Sequence, residues 1–389
     1  MLDRLDRLRP PPLLPTWLGL FAAIAAYLLY VGPFLVPDTP AYSFWADRLI
    51  ATGFDYPALV RENGSAASLA YSLFVTLVAV LKLVFGSGWT WALVMLGAAS
   101  IAAVGALLAR LAFRLTGSAA AAWAALILFA ASFDIMQWAE CVVSDPTFLL
   151  FAYAVFLMEA GRILRGGRSW LPVFAASAAA SLYRPTGILL FPITAWSFYL
   201  ARTAGEARAR ARVLGLAFLA ACAGAASLAF VWQDASRWPF GFARLEIAAI
   251  SRTYGQGQVV WDRHGTYHAP PGGIADYWAI TADRFMHFFA PGAAEYSLSH
   301  WAVQLLFYVP VYAFGGWFVL LLLRGRTGLG RKESDAFFAA LGAVLAYAMF
   351  HGVVQVDFDW RYRLPIMPHL ILLAAGGVAA ALRRTPTSD

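Results

Sequence analysis

The sequence predicts an all-α, polytopic membrane protein, and three observations carry that expectation. The 389-residue chain is 61% hydrophobic and 13% charged, with a mean hydropathy of +0.65. A soluble chain of this length could not cover its surface with so few charges. Apolar runs of about 20 residues recur along it, the length a helix needs to cross a hydrocarbon core about 30 Å thick. Segments of alternating polarity are missing, which excludes a β-barrel on pattern.

In chain order, the apolar windows fall at residues 16–36, 66–85, 89–111, 118–133, 146–163, 170–183, 186–201, 213–232, 298–323, 334–354 and 364–382. The arginines 4, 7 and 9 ahead of the first window resemble a secretory leader. The apolar part is too long for one, and no small-residue cleavage site follows, so the window reads as an uncleaved span.

The second window decides the topology. If residues 66–85 do not cross, most basic residues fall in loops on one side of the membrane. These include Arg110, Arg114, Arg162, Arg165, Arg168, Arg324, Arg326, Arg331 and Lys332. If they do cross, the later loops invert and much of that bias is lost. The positive-inside rule therefore favours about ten transmembrane helices with both termini cytoplasmic. Residues 66–85 then form a juxtamembrane or re-entrant helix, and Ser65, Ser68, Ser72 and Lys82 suit its half-wet position.

Two outer, periplasmic loops are long, at residues 37–88 and 233–297, and long loops tend to carry function. No soluble domain and no internal repeat interrupts the pattern, so residues 1–389 read as one membrane-embedded domain. The net charge of +7 belongs to these loops and implies no nucleic-acid partner. Cys141 and Cys222 fall in a loop and within a span, a poor placement for a disulfide, and no cysteine spacing is of the metal-binding kind.

The candidate chemistry lies at predicted helix ends on the outer side. Acids there are Asp38, Asp134, Glu140, Asp145, Asp357 and Asp359; arginines are Arg184, Arg361 and Arg363. Charges at the apolar boundary are costly unless paired or hydrated, and they mark functional sites. Asp38 and Asp145 each stand just before a proline-containing helix start, where helix capping is the competing explanation. Arg184-Pro185 interrupts an apolar stretch too long for one span, and a guanidinium held there calls for an anion. Lipid phosphate suits it, and so does a neighbouring acid. In Asp357-Phe-Asp-Trp-Arg-Tyr-Arg363, an extended chain would put the acids and arginines on one side. His264 and His268 stand beside Asp262, but Gly265 and Pro270-Pro271 argue against a helix presenting both to a metal.

Taken together, these stretches resemble the GT-C class of membrane glycosyltransferases, nearest to bacterial relatives of protein O-mannosyltransferases and lipid A aminoarabinose transferases. The resemblance rests on Asp38 with Tyr42 after the first span, the hydrophobic helix at 66–85 and the segment Gln137-Trp-Ala-Glu140-Cys-Val-Val-Ser-Asp145-Pro146. Arg184-Pro185-Thr186-Gly187 and Arg361-Tyr362-Arg363-Leu364-Pro365 complete it. It implies an outward-facing site in the bacterial inner membrane. There an inverting transferase would move a sugar from a polyprenyl-phosphate donor to a lipid, glycan or protein acceptor of the cell envelope. By resemblance, Asp38 activates the acceptor hydroxyl or organises the site, either Asp145 or Glu140 is the second-loop acid, and Tyr42, Arg184, Arg361 and Arg363 contact the donor. A divalent metal shared by Asp38 and one of the second-loop acids is left open. The chain lacks the outer globular domain of larger members, which weighs against an acceptor needing extended recognition. The competing classes are another lipid-linked transferase, and a transporter or flippase, which would bury ionisable groups deep within its spans.

Overall fold

The structure is a computed structural model describing residues 9–63, 71–167, 169–203, 215, 274–292, 296–354 and 360–384. His264, His268, Cys222, Asp357, Asp359 and nearly all of the 213–232 window lie outside the described residues. Among the described residues, six helical stretches are long and apolar enough to cross a membrane: Leu13–Val31, Ser72–Thr116, Asp145–Arg165, Leu298–Leu323, Arg331–Gly352 and Arg361–Arg383.

Helix α1 (Leu13–Val31) stops five residues short of its apolar window, because Gly32 adopts φ +79° and Pro33 offers no N–H to continue the ladder. Helices α2 (Thr39–Ala51) and α3 (Tyr56–Asn63) follow, then α4 (Ser72–Phe85) and α5 (Trp89–Thr116). At 1.5 Å per residue α4 is about 21 Å long, short of the hydrocarbon thickness. One 3₁₀ turn, Gly86–Gly88, separates it from α5, and Gly86 takes φ +54°. Next come α6 (Ala119–Ala131), a single turn α7 (Phe133–Met136) and α8 (Asp145–Arg165). The long apolar stretch beyond divides into α9 (Leu171–Tyr183) and α10 (Leu190–Arg202) at Arg184-Pro185, as its length requires. The remaining helices are α11 (Ile274–Phe288), α12 (Leu298–Leu323), α13 (Arg331–Val354) and α14 (Met367–Arg384).

The chain divides into two packing units. The first comprises residues Met1–Arg202, Leu306–Leu341 and Leu364–Asp389. Its centre is α5, buried around most of its circumference by α1, α6, α8 and α14. Small residues permit that approach: a Cβ on Gly105 would stand 2.7 Å from the Phe129 ring and 2.8 Å from Leu20, and one on Gly97 would stand 3.1 Å from Pro146. Beside this core, α4 packs against α2 and α9. The second unit comprises Thr203–Leu305 and Gly342–Arg363.

One expectation fails in the second unit's last segment. Trp360–Ile366 is a 3₁₀ helix, so Arg361 and Arg363 do not share a face as they would on an extended strand. With three residues per turn, side chains two apart point in different directions. Pro365, which cannot supply a ladder N–H, and the helix beginning at Met367 favour a helical approach over an extended one.

Candidate functional site

Two chain segments that are remote in sequence are laced together after α1. Phe34 donates its N–H to the Glu140 carbonyl at 2.8 Å, and Val142 donates back to Phe34 at 2.9 Å, forming an isolated parallel bridge. The Thr39 hydroxyl accepts the Val36 N–H and donates to the Val142 carbonyl, at 3.0 and 2.9 Å. Thr39 is buried, so these bonds are shielded from water and fix where α2 begins. Asp38 at the start of α2 is thereby held beside the segment that leads into α8.

Neither candidate aspartate works as a simple cap. Asp38 occupies the N-cap position of α2, yet its half-buried carboxylate makes no capping hydrogen bond. Asp145 is the first residue of α8 rather than the residue before it, and it is buried. The Asp145 carboxylate forms an ion pair with Arg184, whose Nη1 also donates to the Ser144 hydroxyl at 3.2 Å. Arg184 lies just past the end of α9 with φ −153° and ψ 139°, the extended conformation that a following proline imposes. Its guanidinium sits 5.9 Å from the centre of the Phe148 ring. Gly187 is required two residues beyond the proline, since a Cβ there would lie 2.3 Å from the Ala180 carbonyl oxygen.

Tyr42 joins the two halves of this constellation. It is one helical turn beyond Asp38, donating its N–H to the Asp38 carbonyl at 3.2 Å, and its side chain is buried. Burial pushes the phenol far above its ordinary value, and so do Tyr71, Asp145 and Asp38, while Arg184 opposes the shift. One phenol thus feels both aspartates and the arginine, so the four residues occupy one neighbourhood. Its ring packs edge-on to Phe74 at 4.8 Å, and Phe74 meets Tyr183 at 5.5 Å, which walls the neighbourhood with aromatics. Lys82 of α4 bonds Asp47 and the Ser43 hydroxyl, both at 2.7 Å, and ties α4 to the exposed side of α2.

The other second-loop acids go elsewhere. Glu140 accepts a 2.7 Å hydrogen bond from Tyr27 of α1, and it does not contribute to the surroundings of Tyr42. Asp134 is buried and accepts a 2.5 Å hydrogen bond from Tyr308, which sequence order gives no reason to expect. Between Glu140 and Asp145, then, it is Asp145 that accompanies Asp38. A third buried acid lies further along α8. Glu159 is enclosed, with Thr194 donating to Oε1 at 2.6 Å and Ser197 to Oε2 at 2.8 Å. The spacing of Thr194 and Ser197, i and i+3 on one helix, is the signal that could have found this cluster.

Arg361 and Arg363 belong to the second unit. Arg363 is fully buried there and donates Nη1 to the carbonyls of Phe288 and Ala290, at 3.1 and 2.6 Å, at the C-terminal end of α11. A cation is favoured at that end of a helix, where carbonyls lack intrahelical donors. Arg361 lies 5.6 Å from the centre of the Tyr362 ring. Among the described residues, no group of three His, Cys, Asp or Glu side chains could hold a metal ion. No family model, curated protein or solved structure matches this chain.

Proposed function

We propose that this chain is an inverting glycosyltransferase that moves a sugar from a polyprenyl-phosphate donor to an acceptor hydroxyl. The observation behind this reading is that Asp38, Tyr42, Asp145 and Arg184 converge just after the first apolar helix. A buried ion pair costs desolvation that an apolar pair would avoid, so its presence at a helix junction needs a reason. A phosphate-bearing ligand supplies one. In this scheme Arg184, oriented by Asp145, faces the lipid phosphate. Asp38 receives the proton of the acceptor hydroxyl as that oxygen bonds to the anomeric carbon. The bond from that carbon to the phosphate oxygen breaks with its electron pair, and the lipid phosphate leaves. A positioned base of this kind contributes about 10²–10⁴-fold, and cations at the departing phosphate stabilise the charge that builds there.

The same proposal sets the protein in a bacterial inner membrane, with about ten crossings, both termini cytoplasmic and the acidic neighbourhood outside. The short helices α6, α9 and α10 and the 213–232 segment would join the long apolar ones to make that number, with α4 as a non-crossing helix. With Cys141 and Cys222 replaced, cysteines introduced at Ser65 and Gly88 should label from the same side; labelling from opposite sides overturns the topology.

The central test is donor consumption by the purified protein in liposomes supplied with polyprenyl-phosphate sugars. Asp38→Asn should abolish turnover while the protein remains inserted and monodisperse. Full turnover in that variant removes Asp38 from the chemistry. One observation favours a second reading, a transporter of lipid-linked glycans: Glu159 and its two hydroxyl partners are the buried mid-helix acid cluster such a protein would use. Transport of labelled lipid that fails in Glu159→Gln, without donor consumption, would favour that reading.

A further inference from the structure

A cavity of about 760 Å³ lies between α1, the end of α6 and the segment 133–141. All of these elements belong to the first unit. Helix α1 presents Leu20, Ala23, Ile24 and Tyr27 to it, an i, i+3, i+4, i+7 face. That face is apolar down to its last member, and Ala23, Tyr27, Phe34 and Ala130 are exposed, which leaves the cavity open on one side. Its size falls in the range of about 300–1,000 Å³ typical of small-molecule sites.

Tyr27 and Glu140, bonded to each other, stand at one end of the lining, opposite the Leu20 end of the α1 face. Tyr27 donates to Glu140 Oε2, while Oε1 accepts no hydrogen bond among the described residues. An apolar trough ending in a carboxylate oxygen is matched to an alkyl chain whose head donates a hydrogen bond. The same carboxylate repels a phosphate head.

We infer that this cavity binds the alkyl chain of a lipid whose head is a hydroxyl or an ammonium and not a phosphate, with Glu140 receiving the head group's hydrogen bond. The binding claim stands without the sugar-transfer proposal. Only a hydroxyl lipid's service as acceptor would rest on that reading.

The test uses the full-length protein in detergent micelles and three photoreactive long-chain diazirine probes: an alkyl alcohol, an alkylamine and an alkyl phosphate. Labelled residues are mapped by mass spectrometry. The alcohol, the amine or both should label residues within 20–27 and 130–141, and the phosphate probe should not. Glu140→Ala should lower that labelling about tenfold, as loss of a hydrogen bond to a charged group does. Ala23→Trp, which fills the trough from the exposed side of α1, should abolish it; Ala130→Phe serves the same purpose if Ala23→Trp does not fold. Equal labelling by the phosphate probe, labelling spread evenly over the apolar surface, or labelling untouched in all three variants would overturn the inference. Donor consumption measured in parallel separates the two ideas, since cavity labelling without turnover sinks only the transferase reading.

Discussion

The Arg184 guanidinium, just past the C-terminus of α9, pairs with the Asp145 carboxylate at the N-terminus of α8, and each side chain is only 3% exposed. Each charge also complements the end of the helix it adjoins, cation at a C-terminus and anion at an N-terminus. The two helices form a hairpin whose short connection lies at their other ends, at residues 166–170, so the pair clamps its open end.

Removing one partner should be far worse than removing both. Arg184→Met or Asp145→Leu alone strands a buried charge and should destabilise the protein by about 3–5 kcal/mol, whereas the double variant should recover most of that loss. Thermal unfolding in detergent, run as a double-mutant cycle, measures it. Simple additivity would mean the two residues do not act as a unit.

Tyr42 predicts a pH dependence on the alkaline side. Its phenol keeps its proton well above the ordinary value of 10.0, because burial and two nearby carboxylates disfavour the anion. In the unfolded chain the phenol ionises near 10, so above that pH the native state holds a proton that the unfolded state has released. The stabilising contribution is complete below pH 10 and declines as pH rises through the raised value. Unfolding temperatures of the wild type should fall faster than those of Tyr42→Phe between about pH 9.5 and 11, and parallel curves would contradict the burial of this phenol.

Gly187 should tolerate no side chain. The contact a Cβ would make is with the backbone carbonyl of Ala180, which cannot swing away as a side-chain tip would. Gly187→Ala should cost about 1–3 kcal/mol by overpacking, and it should also disturb Arg184, whose carbonyl accepts the Gly187 N–H at 2.9 Å. A loss of unfolding temperature accompanied by loss of donor consumption is expected, and a neutral variant would count against the tight turn.

Glu159 gives a prediction about packing alone. Glu159→Ala leaves the hydroxyls of Thr194 and Ser197 without their acceptor and should destabilise by about 1–3 kcal/mol. Glu159→Gln retains one carbonyl acceptor and should cost less. If sugar transfer is the activity, Glu159→Gln should leave donor consumption intact, since neither it nor its partners belong to the neighbourhood of Tyr42.

The helical class, the break at Arg184-Pro185 and the candidacy of Asp38 and Asp145 were all legible in the sequence. Each follows from local rules of apolar length, proline geometry and the cost of a charge near lipid. What composition and spacing could not supply was pairing across the chain. Asp145 and Glu140 looked interchangeable because both stand in the stretch that enters α8, and only the fold sends one toward Arg184 and the other toward Tyr27. The same limit hid Tyr308 beside Asp134, and the hydroxyl partners that draw Glu159 into the protein. The alternation in residues 357–363 misled for another reason: it has the period of a strand, but the described part of that stretch winds into a 3₁₀ helix.

The Thr39–Val142 bond has a consequence for biogenesis, because 103 residues separate its partners. Asp38 leaves the ribosome long before the strip of chain that moors it, so the acid travels through the insertion machinery unanchored. A nascent polypeptide halted before residue 140 would hold its first helices in the bilayer without the latch that orders the loop between them, and the centre's assembly must wait for the later chain to arrive.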